Sequence, residues 1–254
     1  MTHLALIGQG AIVRALLPAL PGLCVERVSV LARPGRAAAA RALPGVSEAV
    51  EDVDALIALG PALAVEAAGQ QALAEHGPAL LAAGIPLIAA SVGALAEPET
   101  EARLRAAARR GGSRLHLPSG AIGGLDALGA LAGSGGVTLE YQGTKPPRAW
   151  PPGSPEGGEI FAGSAREAAR AFPKNANVAA AVALAGPGLD ATRVHLLADP
   201  EARGNRHHWR AEGAAGRIEM TIESTPAPGN AATSLLTVHS LARSIRNLTG
   251  EIAL

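Results

Sequence analysis

The 254-residue chain has one cysteine, Cys24, five aromatic residues, two lysines and no excess charge, because 22 basic groups balance 22 acidic ones. A single cysteine excludes an intramolecular disulfide framework and a multi-cysteine metal site. So few aromatics exclude a base-stacking platform, and balanced charge gives no pull toward nucleic acid or an anionic membrane. Long hydrophobic runs are also missing. The apolar start Leu4–Ile7 gives way to glycine, too short for a signal-peptide core. The uncharged window from His76 to Ala96 is broken by Gly77, Pro78, Gly84, Pro86 and Gly93. No membrane span is expected, and a cytoplasmic location is. What the chain does have is apolar: 48% hydrophobic against 17% charged residues, enough for a large core.

The first half alternates short apolar runs with helical patterns. Strands are predicted at Leu4–Ile7, Val25–Leu31, Leu63–Ala67, Ile85–Ala89 and Arg114–Leu117, continuous apolar runs suited to parallel strands covered on both faces. Between them, Pro98–Arg110 reads as a helix, with Glu99 and Glu101 in the first turns and Arg109, Arg110 and Gly111 at its end. This alternation predicts a doubly wound parallel sheet. In the second half, helices are predicted at Gly123–Ala132, Ala165–Phe172 and Ala176–Ala185. Strands are predicted at Val137–Gln142, Arg193–Leu197, His207–Glu212 and Arg217–Glu223, with a proline-rich loop over Pro146–Glu159. Leu235, Val238, Leu241, Ala242, Ile245 and Leu248 recur at helical spacing, with Gly250 as a stop. The expected architecture is α/β: an N-terminal Rossmann domain over 1–118 and a C-terminal α/β domain of α+β character over 119–254, whose last helix (about 233–248) is free to pack back on the first.

The first strand runs into Gly8-Gln9-Gly10-Ala11-Ile12-Val13. Two glycines permit a tight turn and close approach of backbone to a pyrophosphate, and the helix beginning at Ala11 and Ile12 offers amide donors. Val13 stands where a third glycine is usual. At the end of the second strand, an acid would bind the ribose 2′-hydroxyl. The chain instead reads Leu31-Ala32-Arg33-Pro34, so Arg33 either meets the 2′-phosphate of NADP or stands solvated, and NADP is expected to bind at least as well as NAD.

Several segments resemble the L-aspartate dehydrogenase family: Val65-Glu66-Ala67-Ala68-Gly69, Ser91-Val92-Gly93-Ala94-Leu95, Pro118 to Asp126, Phe172 to Val178, Ala198-Asp199-Pro200 and Asn205-Arg206-His207. They span nearly the whole chain in order. The resemblance implies a Rossmann domain, a C-terminal α/β domain, a homodimer, and oxidation of L-aspartate to iminosuccinate with NAD or NADP, which can feed NAD biosynthesis. It implies that Ala121 and Asn177 contact the nicotinamide side and that His207 is the catalytic histidine. Gly229 to Ser234 is looser than the family's Asn-Pro-Lys-Thr-Ser.

Other residues stay open on their own pattern. Lys145 and Lys174 are candidates for the substrate's two carboxylates, or surface lysines. Asn175 and Asn177 flank a helix start, where N-capping is the plainer reading. His3, His76, His116, His195 and His239 show no metal-ligand spacing, so no metal site is expected. Cys24 reads as a small buried side chain. Ile218, Met220 and Ile222 form one apolar strand face, fit for a dimer contact or for core. His207 and His208 are adjacent in a strand and point to opposite faces, so only one of them can face a cleft. Two alternatives remain at this level: a reductase of the dihydrodipicolinate reductase type, which would want a lysine close after the histidine pair, and a non-catalytic nucleotide-binding regulator.

Overall fold

The computed structural model describes residues 2–173, 175–227 and 230–253, without the side chains of 226, 227 and 230–233. Lys174 therefore lies outside the described residues, as does the side chain of Asn230. The chain divides into two compact units, one of Met1–Ala94, Pro98–Pro118 and Val238–Leu254, the other of Leu95–Glu97 and Ser119–Thr237.

Unit 1 is a doubly wound sheet. Its strands are β1 (Thr2–Ile7), β2 (Val25–Leu31), β3 (Glu48–Val50), β4 (Leu63–Glu66), β5 (Leu87–Ala89) and β6 (Leu115–His116), all parallel, in the order β3-β2-β1-β4-β5-β6. Each connection carries a helix: α1 (Ala11–Leu16), α2 (Ala37–Arg41), α3 (Val53–Ala58), α4 (Gln70–Ala82) and α5 (Pro98–Gly111). The register sets Leu4 and Leu6 of β1 opposite Val28 and Val30 on one side and Leu63 and Val65 on the other. All six are buried, with Val13 and Leu16 of α1 in the same cluster. Burial of each such side chain contributes about 1.5–3 kcal/mol. The last helix, here Leu235–Thr249, adds Val238, Leu241 and Ile245 to this core, and Thr249 Oγ1 donates to the Leu23 carbonyl at 3.0 Å.

Two expectations fail here. Strand β3 has no forecast, because three half-buried residues at a sheet edge leave no periodic trace. Cys24 is exposed instead of buried: it sits at φ +57° in the turn before β2, and that left-handed conformation turns its thiol outward.

Unit 2 holds a mixed five-stranded sheet in the order β11-β10-β7-β9-β8. The strands are β7 (Thr138–Lys145), β8 (Gly158–Ser164), β9 (Arg193–Ala198), β10 (Asn205–Gly213) and β11 (Gly216–Ser224). β7 and β9 run parallel, and the other pairs are antiparallel. The helices are α6 (Leu125–Gly133), α7 (Ala165–Ala171) and α8 (Asn177–Ala185). A capping box starts α7: Ser164 Oγ accepts from the Glu167 amide, and the Glu167 carboxylate accepts from the Ser164 amide. The proline-rich segment is a loop only to residue 157, since Gly158 and Glu159 already pair with Ala198 and Leu197.

Alternation is clean on β10 and holds on β7 as far as Gly143, after which Thr144 is buried as well. Leu139, Tyr141, Gly143 and Lys145 of β7 are buried, as are Asn205, His207, Trp209 and Ala211 of β10. The Ile218, Met220 and Ile222 face is half-buried within the unit. Gly124 shows why: at φ +69° a Cβ there would lie 2.7 Å from Met220 Cε and 3.1 Å from Trp209 Cζ2. Part of the proposed dimer face is thus already covered by the α6 approach.

Candidate active site

The carboxyl edge of the unit 1 sheet is built for close approach. Gly8 lies at φ +103°, and a Cβ there would sit 2.9 Å from Ala68 Cβ, so β1 can pass the loop after β4 only as glycine. Gly10 has open space on the side where a Cβ would point. It precedes α1 without a side-chain cap, leaving the Ala11 and Ile12 amides without intrahelical acceptors. Gln9 Oε1 in the same turn is buried and has no hydrogen-bond partner among the described residues. At the end of β2, Arg33 is exposed, and its turn closes by the Arg36 amide donating to the Arg33 carbonyl at 3.0 Å. An open glycine turn, unspent amides and an exposed arginine beyond β2 fit the pyrophosphate and ribose end of a dinucleotide.

One residue at this edge has no counterpart in the motif reading. Glu66, the last residue of β4, is 0% exposed. Its Oε1 accepts from the Ala68 and Gly69 amides, both at 2.7 Å, and from Ser91 Oγ at 3.0 Å, while Oε2 accepts from the Ser91 amide at 3.1 Å. Burial pushes its carboxyl up, and those four bonds oppose the shift. Glu66 ties the loops after β4 and β5 together. An apolar-run reading passes over it because it occupies the end of a fully buried strand.

In unit 2, polar side chains gather at one end of the sheet. His207 is 1% exposed; its Nδ1 lies 2.7 Å from Tyr141 Oη, and its Nε2 is buried without a hydrogen-bond partner among the described residues. Burial, then the nearby charge of Lys145, pushes its pKa down to about 3, so the ring is neutral at ordinary pH. Lys145 is 4% exposed. Its Nζ donates to the Asn175 carbonyl at 3.4 Å and lies 5.5 Å from the centre of the Trp150 ring. No carboxylate pairs with it among the described residues, and burial brings its pKa from 10.5 to about 8. Asn205, two residues before His207 on the same face of β10, is buried with an unpartnered Oδ1. It also lines a cavity of about 540 Å³ with Thr144, Asp199, Arg203, Arg206 and Glu223.

The asparagines at the start of α8 do not cap it. The N-cap position is Ala176, with no side-chain bond, and Asn175 Nδ2 instead donates to the Ala149 carbonyl at 2.8 Å. Asn175 thus braces the Pro147–Ala149 turn while its carbonyl receives Lys145. Ala121 is buried in the turn after Ser119, and Asn177 is the first residue of α8. His208 lies on the other face: its Nδ1 is 2.9 Å from Thr221 Oγ1 and its Nε2 3.6 Å from Glu219. Sequence reasoning missed Tyr141 and Asn205 as site residues, although strand spacing of two and four connects them to His207 and Lys145.

A protein of Ruegeria pomeroyi named L-aspartate dehydrogenase is 49% identical over 96% of this chain and 91% of its own length. The chain belongs to the L-aspartate dehydrogenase family. A Cupriavidus necator protein of that name is 44% identical over the full length of both. The family profile described as aspartate dehydrogenase, C-terminal, matches residues 126–248, and one described as homoserine dehydrogenase, NAD binding domain, matches 8–118. Among solved structures, an aspartate dehydrogenase from Thermotoga maritima superposes with a TM-score of 0.79 at 28% identity, covering 100% of this chain and 99% of that one. An amine dehydrogenase from Mycobacterium smegmatis, at 14% identity and a TM-score of 0.59, shares the fold.

The unpaired Lys145 opposes folding. Its displacement from 10.5 to about 8 corresponds to about 3 kcal/mol. The unfolded chain binds the proton more tightly between those values, so this penalty shrinks as pH rises from about 8 to 10.5. Lys145→Met, which keeps the length and removes the charge, should raise unfolding stability at neutral pH by about 1–3 kcal/mol in denaturant titrations. A loss of stability would mean that the ammonium is well solvated or paired.

Proposed function

We propose that this protein oxidises L-aspartate to iminosuccinate with NAD or NADP, the imine then hydrolysing to oxaloacetate and ammonia, with the reverse amination also open. The observation that carries this reading is the pairing, at one end of the unit 2 sheet, of a buried neutral histidine whose Nε2 is unspent with a buried ammonium, neither having a charged partner among the described residues. A dicarboxylic amino acid supplies what both lack.

In this account Lys145 receives a substrate carboxylate, an ion pair strengthened by its dry surroundings. His207 is the catalytic histidine and addresses the substrate nitrogen, while His208 keeps its surface partners. Asn205 Oδ1 is an acceptor for the substrate's N–H. The nitrogen gives up a proton to water, the Cα–H bond breaks with its electron pair and the C=N bond forms. Bound nicotinamide supplies the acceptor for that electron pair and hydrogen. Ala121 and Asn177 position the nicotinamide side; Gly8, Gly10, Ala11 and Ile12 carry the pyrophosphate. Asn175 acts through its carbonyl, which receives the Lys145 ammonium, and Lys174, its neighbour in sequence, is a second candidate for a substrate carboxylate. A cytoplasmic homodimer joined through the second unit and supplying NAD biosynthesis belongs to this reading; no described helix is long and apolar enough to cross a membrane.

Reduced-cofactor absorbance with L-aspartate and NAD or NADP in parallel tests the activity, with L-glutamate as the comparison substrate. His207→Ala should lose on the order of 10²–10³ in kcat while still binding cofactor, and His208→Ala should stay within a few-fold of the parent. Near-normal turnover in His207→Ala would overturn the assignment.

Cofactor choice rests on Arg33. Its guanidinium on a 2′-phosphate is worth about ten- to a hundredfold in affinity. Fluorescence titration should show Arg33→Ala losing that factor for NADP and little for NAD. An unchanged preference removes Arg33 from the site.

A further inference from the structure

We propose that Tyr141 is a positioning residue: its phenol hydrogen donates to Nδ1 of His207 and holds the ring in the tautomer that carries its hydrogen on Nε2. The proposal deepens the reading of His207 given above and rests on it for its catalytic consequence.

The strand register makes the contact possible. His207 of β10 stands opposite Gly143 of β7, and Tyr141 stands opposite Trp209. The tyrosine reaches diagonally toward the histidine across the space that a side chain on residue 143 would take. A Cβ on Gly143 would lie 2.9 Å from Tyr141 Oη and 3.3 Å from its Cε1. The two rings are inclined by only 23°, with Oη 2.7 Å from Nδ1. Gly143 is therefore not a flexible point in the strand; it is the vacancy that lets Tyr141 lie flat.

The direction of the hydrogen bond follows from what else is near. Tyr141 is 2% exposed, and burial drives its ionisation up, so the phenol keeps its hydrogen. Among the described residues Oη has no hydrogen-bond partner other than Nδ1. If Nδ1 carried the ring hydrogen, it would donate to Oη and the phenol hydrogen would be left over; if Nε2 carries it, the hydrogen left over is on Nε2, the atom open to a substrate in the reading above. A charged ring would present hydrogens on both nitrogens, against burial and the Lys145 charge. Only the Nε2–H ring lets the phenol donate. A phenol is a stronger donor than an imidazole N–H, and an imidazole nitrogen is a stronger acceptor than a phenol oxygen, so the contact favours this tautomer.

The consequence is chemical. Nε2, the buried atom without a partner, is a donor and not a lone pair, so His207 meets the substrate by hydrogen-bonding to a carboxylate oxygen or a neutral amine nitrogen. The ring can accept a proton only at Nδ1, the atom that Tyr141 covers. Tyr141 thereby sets what the catalytic histidine offers without touching substrate itself.

Nitrogen NMR of protein carrying ¹⁵N-labelled histidine, with His207→Gln used to assign the signal, reads the tautomer directly and needs neither cofactor nor substrate. The ring of His207 should show a protonated Nε2 and an acceptor Nδ1 throughout the neutral range. Tyr141→Phe, which keeps the ring that fills the space, should move the signal toward a mixture of tautomers. Its kcat with L-aspartate should fall about tenfold to a hundredfold, with KM within a few-fold of the parent. Gly143→Ala, which leaves the tyrosine in the chain but pushes Oη off Nδ1, should give the same spectral change. A protonated Nδ1 or a charged ring in the unmodified protein overturns the proposal, as does an unchanged tautomer in both variants. If neither variant folds, the spectrum of the unmodified protein decides alone. Failure of the aspartate assay with the expected spectrum would count against the proposed substrate and leave the tyrosine's role standing.

Discussion

Desolvation at one end of the unit 2 sheet governs the chemistry available to this protein. Three polar side chains, Tyr141, Lys145 and His207, are packed on the inner face of β7 and β10 with almost no access to water. The same burial keeps the histidine neutral, keeps the phenol protonated and brings the lysine to a pKa of about 8. Such a group of residues is costly in the free protein and most favourable when an anion enters, because the Coulomb attraction that burial denies the lysine is restored at low dielectric. Stability and substrate binding are therefore opposed at this position. The rest of the unit supports that tension: Asn175 braces the turn beneath Lys145, Trp150 offers its ring face to the ammonium, and α8 packs five consecutive small or branched residues, Ala179 to Ala183, in the interior.

The nucleotide edge uses a different device. Backbone amides do the work there, and side chains serve mainly to hold the backbone still. Glu66 is the clearest case. It accepts from the amides of Ala68, Gly69 and Ser91 and from the Ser91 hydroxyl, fixing two loops on the strand ends where open α/β sheets receive ligands. Gly8 then passes so close to Ala68 that the loop position and the glycine turn are set together. Val13, in place of a third glycine, is accommodated as a fully buried core residue alongside Leu4, Leu6 and Leu16. The helix after the turn packs through that side chain and does not require the closest possible approach.

Most of the fold was legible because parallel strands buried on both faces announce themselves as apolar runs: β2 begins and ends where expected, and β1 and β4 differ at their ends by one or two residues. The exceptions share a cause. β3 and the first residues of β8 are short or open-faced edge segments, held by ladder bonds and not by a burial pattern. Cys24 was misread because hydrophobicity says nothing of a left-handed turn. In the site, His207 was legible from the resemblance and from its position in a strand. Tyr141 was not, since its role depends on a glycine two residues later in its own strand and a histidine 66 residues away. Asn175 had capping as its plainer reading from local spacing, whereas the turn at Ala149 competes successfully for its side chain.

The central claim is that the Cα hydrogen of L-aspartate leaves as a hydride. Mass analysis of the cofactor reduced by this protein with L-aspartate deuterated at Cα tests it most directly. The account predicts one deuterium in each reduced nicotinamide and a slower turnover than with unlabelled aspartate. Reduced cofactor without deuterium, or no reduction with either NAD or NADP, would contradict it.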